Sequence, residues 1–85
     1  MKMMIVIVKD HEADQLTEAF TSGNYRVTRI ASTGGFLRSG VVTLLLGVND
    51  TQVESALQLM REKLEPSEEK KATVFVVPVE RYEQV

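Results

Sequence analysis

At 85 residues, with a net charge of −2, 44% hydrophobic residues and no cysteine, the chain reads as one small domain, residues 1–85. A disulfide framework and thiol chemistry are excluded, and the charge argues against a duplex nucleic-acid partner. A domain this small buries only about 60% of its unfolded surface, so its own core is thin.

The first apolar run, residues 3–8 (MIVIV with Met3 ahead of it), meets charge at Lys9 and Asp10. It is too short for a bilayer, which takes about 20 residues, and it lacks a cleavage site, so it reads as a strand in a cytoplasmic protein without membrane attachment. Its near-continuous hydrophobicity is that of a strand covered on both faces. A helix follows, capped by Asp10 or a near neighbour, with Leu16, Ala19 and Phe20 on one face and Gly23 as its left-handed stop. Residues 24–31 alternate as a strand, with Tyr25 and Val27 on one side and Arg26, Thr28 and Ile30 on the other. Residues 32–40 (STGGFLRSG) form a glycine-punctuated loop, and residues 41–48 (VVTLLLGV) a second strand without a polar face.

Thr51 to Glu54 fits a capping box, and Val53, Ala56, Leu57, Met60 and Leu64 then repeat at helical spacing. Residues 65–71 are a short solvated connection. Residues 72–79 form the last strand, which Pro78 confines to an edge or a strand end. The order is βαββαβ. With right-handed crossovers this is an α+β, ferredoxin-like layout: an antiparallel four-stranded sheet with both helices on one face and the first and third strands central.

Those two central strands pose a problem for a lone copy. Met4, Val6, Val8, Val42, Leu44 and Leu46 alternate with Met3, Ile5, Ile7, Thr43 and Leu45. The helices cover one set, and the other is left as an apolar face of a kind that soluble monomers rarely carry. A homo-oligomer is expected.

Candidate chemistry is sparse. The single histidine, His11, has no cysteine, second histidine or spaced carboxylates to work with, and reads as a surface residue. Asp10, Glu12 and Asp14 complement a helix N-terminus. No catalytic residue and no metal site is expected. The loop at 32–40 is more informative. Residues 19–49 contain three arginines, Arg26, Arg29 and Arg38, and no acid, so this stretch carries +3 and the rest of the chain −5 of the net −2. Gly34 and Gly35 let backbone N–H groups approach an anion. Phe36 and Leu37 at the loop tip call for a cover, either a neighbouring copy or the face of a base. Arg26 and Arg38 supply guanidinium forks for phosphate.

Four stretches carry a resemblance: Asn24-Tyr25-Arg26-Val27-Thr28; Thr33-Gly34-Gly35-Phe36-Leu37-Arg38-Ser39-Gly40; Gly47-Val48-Asn49-Asp50; and residues 72–79, ATVFVVPV. They resemble the PII-like cyclic di-AMP receptor family over nearly the whole chain, apart from the segment between Leu64 and Ala72. The resemblance implies a homotrimer with nucleotide sites in clefts between subunits. It implies ligand contacts from the polar cluster Asn24, Arg26 and Thr28, from Gly35, Phe36 and Leu37 around an adenine, and from Gly47 against it. Phe75 and Gln84 complete the site, and Arg38 supports it. There are two departures. Val41 stands where family members commonly carry a ligand-contacting asparagine, and the long loop before the last strand is here about seven residues, 65–71, a normal connection length.

The expected function is therefore non-enzymatic signalling by binding cyclic di-AMP or a related adenine nucleotide, with an unidentified protein partner downstream and no cofactor. The alternative is a trimer that has lost its ligand and serves as an interaction protein, with Phe36 and Leu37 packed on a neighbouring subunit. An acylphosphatase-like enzyme shares the layout, but needs an arginine in a glycine-bearing loop after the first strand, where this chain has Lys9-Asp10-His11-Glu12. An RNA platform needs aromatics on the central strands, and residues 3–8 and 41–48 contain none.

Overall fold

The computed structural model describes residues 1–31, 40–64 and 71–85. In chain order these form β1 (Lys2–Lys9), α1 (Asp10–Ser22), β2 (Val27–Ala31), β3 (Val41–Val48), a 3-10 turn (Asp50–Gln52), α2 (Val53–Lys63) and β4 (Ala72–Pro78). The sheet runs β2-β3-β1-β4 with every neighbouring pair antiparallel. This is the ferredoxin-like α+β arrangement expected, with the two wholly apolar strands in the middle and the proline-bearing strand at an edge.

The helices select which alternate set of the central strands is buried. Met4, Val6, Val8, Val42, Leu44 and Leu46 are all at most 3% exposed and pack with Ala13, Leu16 and Phe20 of α1 and Ala56 and Met60 of α2. Val53, Leu57 and Leu64 flank this core, as the helical spacing requires. The other set lies on the helix-free face. Because antiparallel partners share a face, the register builds three rows there: Gly47–Met3–Val77, Thr28–Leu45–Ile5–Phe75, and Ile30–Thr43–Ile7–Thr73. Ile30 is 44% exposed and Phe75 53% exposed, while Met3, Ile5, Ile7 and Leu45 are half-buried. A broad apolar surface is thus open to whatever covers it.

Local details differ from the sequence expectation at three places. Strand β1 passes directly into α1: the N-cap is Lys9, with no side-chain cap, and the Asp10 N–H donates instead to the Gly40 carbonyl at 2.8 Å. Asp10 is thus the first helical residue and not the cap, and a backbone carbonyl satisfies its free N–H. At the other end Gly23 has an ordinary φ of −85°, and the left-handed residue is Asn24, with φ 68°. The Tyr25 N–H donates to Phe20 O (2.9 Å) and the Asn24 N–H to Thr21 O (3.1 Å). This is a Schellman motif, closed by the edge-on contact of the Phe20 and Tyr25 rings at 5.8 Å. A Cβ at Gly23 would lie 3.3 Å from the Tyr25 ring, a tight contact that glycine avoids. Finally, the capping box is Asn49 with Gln52, at the 3-10 turn, rather than Thr51 with Glu54: Gln52 Oε1 accepts from the Asn49 N–H at 2.8 Å.

Candidate functional site

The expected ligand residues fall into separate groups. Strand β2 starts at Val27, three residues later than the sequence pattern predicts, so Asn24 and Arg26 belong to the turn that leads into it. Val27 packs against the core, and Arg26 and Thr28 are exposed, as the alternation requires. Thr28 and Gly47 sit on the helix-free face in adjacent rows, on neighbouring strands, a diagonal separation of roughly 7–8 Å. A Cβ added at Gly47 would meet nothing within 4 Å, so the protomer itself does not require a glycine there. Asn24, Arg26, Thr28 and Gly47 therefore gather at one corner of the sheet.

Phe75 is on the same face but on the far edge. It shares a row with Thr28, with Leu45 and Ile5 between them, so three strand spacings, roughly 14 Å, separate the two. Gln84 is exposed in the segment after β4, whose course begins with the Val79 N–H donating to Met1 O at 3.1 Å. Gly35, Phe36, Leu37 and Arg38 lie outside the described residues, as does most of the connection at 65–71.

The three arginines of the acid-free stretch divide by role. Arg29 faces the helix side and its guanidinium is paired with Asp14 of α1, so it ties β2 to the helix layer. Arg26 makes no ion pair among the described residues. Of these three it is the described one with its fork available to a phosphate.

Asn24 combines two demands, and a pair of variants separates them. Asn24→Ala should cost about 1–2 kcal/mol, since alanine tolerates a left-handed backbone poorly, while Asn24→Gly should keep the stability. If the Asn24 side chain also contacts ligand, both variants lose affinity; thermal melts beside binding titrations read the two effects apart.

At the opposite end of the sheet, where the chain returns from 32–39 and from 65–70, Ile7, Lys9, Val41, Lys71 and Thr73 line a recess of about 140 Å³. Val41 pairs with Lys9 here. Glu12 is a feature that the helix-dipole reading missed. It is buried, 7% exposed, with its Oε1 3.6 Å from Lys71 Nζ and 3.4 Å from His11 Nε2. His11 itself is exposed, as expected. The signal lay in the helical spacing: Glu12 stands four residues ahead of Leu16 and eight ahead of Phe20, on the face of α1 that packs against the sheet, whereas Asp10 and Asp14 lie off that face and are exposed.

Among the described residues no group of three or more His, Asp or Glu side chains could hold a metal ion, and no helix is long and apolar enough to cross a membrane.

The chain is similar, at 34% identity and a TM-score of 0.81, to a crystal structure of a functionally unknown protein from Pediococcus pentosaceus ATCC 25745; the match covers 99% of this chain and 96% of that one. The family model described as cyclic-di-AMP receptor matches residues 1–71, which takes in the glycine loop, β3 and both helices. This chain belongs to the cyclic-di-AMP receptor family.

Proposed function

We propose that this protein is a non-enzymatic receptor that binds cyclic di-AMP, or a related adenine nucleotide, in clefts between the subunits of a homotrimer. The observation that carries the reading is the helix-free face. It is apolar through its middle, and ligand-type residues stand toward its two opposite sides: Thr28 on the edge strand β2, with Arg26 just ahead of it and Gly47 on the adjoining β3, and Phe75 on the other edge strand. A single adenine cannot touch both edges of one sheet across roughly 14 Å. Copies packed through this face bring the edge of one beside the edge of the next, which makes a cleft with a guanidinium on one wall and a ring on the other.

The division of labour follows from the side-chain chemistry. Arg26 pairs with a phosphodiester, and Thr28 and the Asn24 amide add directional hydrogen bonds. Gly47 leaves room for a purine to lie flat against the β3 backbone. The Phe75 ring offers a stacking face, an interaction worth about 1–3 kcal/mol per base. Gly35, Phe36, Leu37, Arg38 and Gln84 are assigned to the site on the family resemblance. Binding would be read out by a change in the assembly or by contact with a protein partner, with no chemical turnover.

Isothermal titration of the assembled protein with cyclic di-AMP, cyclic di-GMP, ATP, ADP and AMP tests this. Saturable heat with cyclic di-AMP, or with another adenine nucleotide in preference to cyclic di-GMP, is the expected result. No heat with any of the five on folded, assembled protein would defeat the ligand assignment. It would leave the alternative, a trimer that serves as an interaction protein, which the aliphatic Val41 favours.

A further inference from the structure

Strand β4 is held unevenly. It has one sheet neighbour, β1, and the α1 helix packs against β1, β2 and β3 but not extensively against β4. Along the strand Thr73, Phe75, Val76 and Pro78 are exposed, and only its helix-side residues near the start, Ala72 and Val74, touch the core. At that start, Lys71 reaches over to the buried Glu12 carboxylate of α1 at 3.6 Å, with its own side chain 27% exposed. A carboxylate removed from water is stabilised only when it is paired, and His11, the other group facing it, is largely in solvent. Losing Lys71 therefore leaves a buried charge short of its partner, so the pair holds its geometry more firmly than a surface pair would.

From this we infer that Glu12 and Lys71 form a latch that fixes the beginning of β4 against α1 and thereby positions Phe75, four residues further on, at the edge of the helix-free face. Glu12 is then a positioning residue for the ligand site. The consequence for ligand rests on the receptor reading above; the latch itself does not.

The test is a double-mutant cycle with two readouts, hydrogen exchange and nucleotide titration, on Lys71→Gln, Glu12→Gln and the double variant. Lys71→Gln is expected to raise exchange about tenfold or more in peptides covering residues 72–75, with those from α1 and β3 unchanged. A general loss of stability would speed all of them. Affinity for the nucleotide found by titration should fall by about tenfold, and Lys71→Arg should restore both readouts, because a guanidinium supplies the same charge. The double variant should be no worse than the poorer single one. Unchanged exchange at 72–75, or single effects that simply add, overturns the latch. Faster local exchange with unaltered affinity overturns the positioning of Phe75. If the unaltered protein binds no nucleotide, the receptor reading fails by itself, and exchange with the cycle still decides the latch.

Discussion

Leu45→Glu is expected to leave the protomer folded and to dissociate the assembly. Leu45 occupies the middle of the helix-free face on a central strand, flanked by Thr28 on one side and Ile5 on the other. Its side chain points away from the core of Met4, Leu44, Phe20 and their neighbours, so a carboxylate there reaches water in a single copy. In an assembly packed through this face the same carboxylate is buried without a partner, at a cost of several kcal/mol per copy. Far-UV circular dichroism should be preserved, while light scattering at micromolar concentration should fall from an oligomer to a monomer. An unaltered protein that is already monomeric under those conditions would remove the basis for sites between subunits. The nucleotide response should disappear together with the assembly, since the two edges of one sheet stand too far apart to make a site.

Gly47→Val separates ligand from fold more sharply. The added side chain points into open space in the protomer, and valine suits a strand better than glycine does. Stability should therefore hold or rise slightly. The same side chain fills the space assigned to the purine, so affinity should fall by about a hundredfold or more, equivalent to about 3 kcal/mol of lost stacking and contact. Melting curves with and without nucleotide give both quantities together: the unliganded midpoint stays, and the ligand-induced rise vanishes. A variant that retains the full rise would move the adenine away from β3. A variant that instead loses assembly would show that Gly47 lies against a neighbouring copy.

Much of this architecture was legible in the residues. Two strands with no polar face, Lys2–Lys9 and Val41–Val48, were expected in the centre and are there, and Pro78, expected at an edge or a strand end, is at both. The exposure of Thr28 on β2, and of Arg26 just ahead of that strand, also followed from alternation alone. What escaped detection was set by contacts between distant segments. Gly23 looked like the left-handed helix stop, but what it has is the Tyr25 ring close beside it, and Asn24 takes the left-handed backbone one residue later. Arg29 counted as one of three cations in an acid-free stretch, and its partner, Asp14, comes from across the β2–α1 junction. Glu12 looked like one of several acids at a helix N-terminus; its spacing from Leu16 and Phe20 put it on the buried face, but its partner, Lys71, is set only by the tertiary structure.

The sequence by itself determined that each central strand has two apolar faces, because a period of two distributes side chains to both sides whatever else the chain does. It could not say which set the helices would take, since a strand's alternation has no preferred side and a shift of one residue exchanges the two. Only the packing of Leu16, Phe20, Ala56 and Met60 onto Met4, Val6 and Leu44 made that choice. That choice left Thr28, Gly47 and Phe75 together on the open side, but with two intervening strands between Thr28 and Phe75, a separation that follows from hydrogen-bonded register and not from distance along the chain.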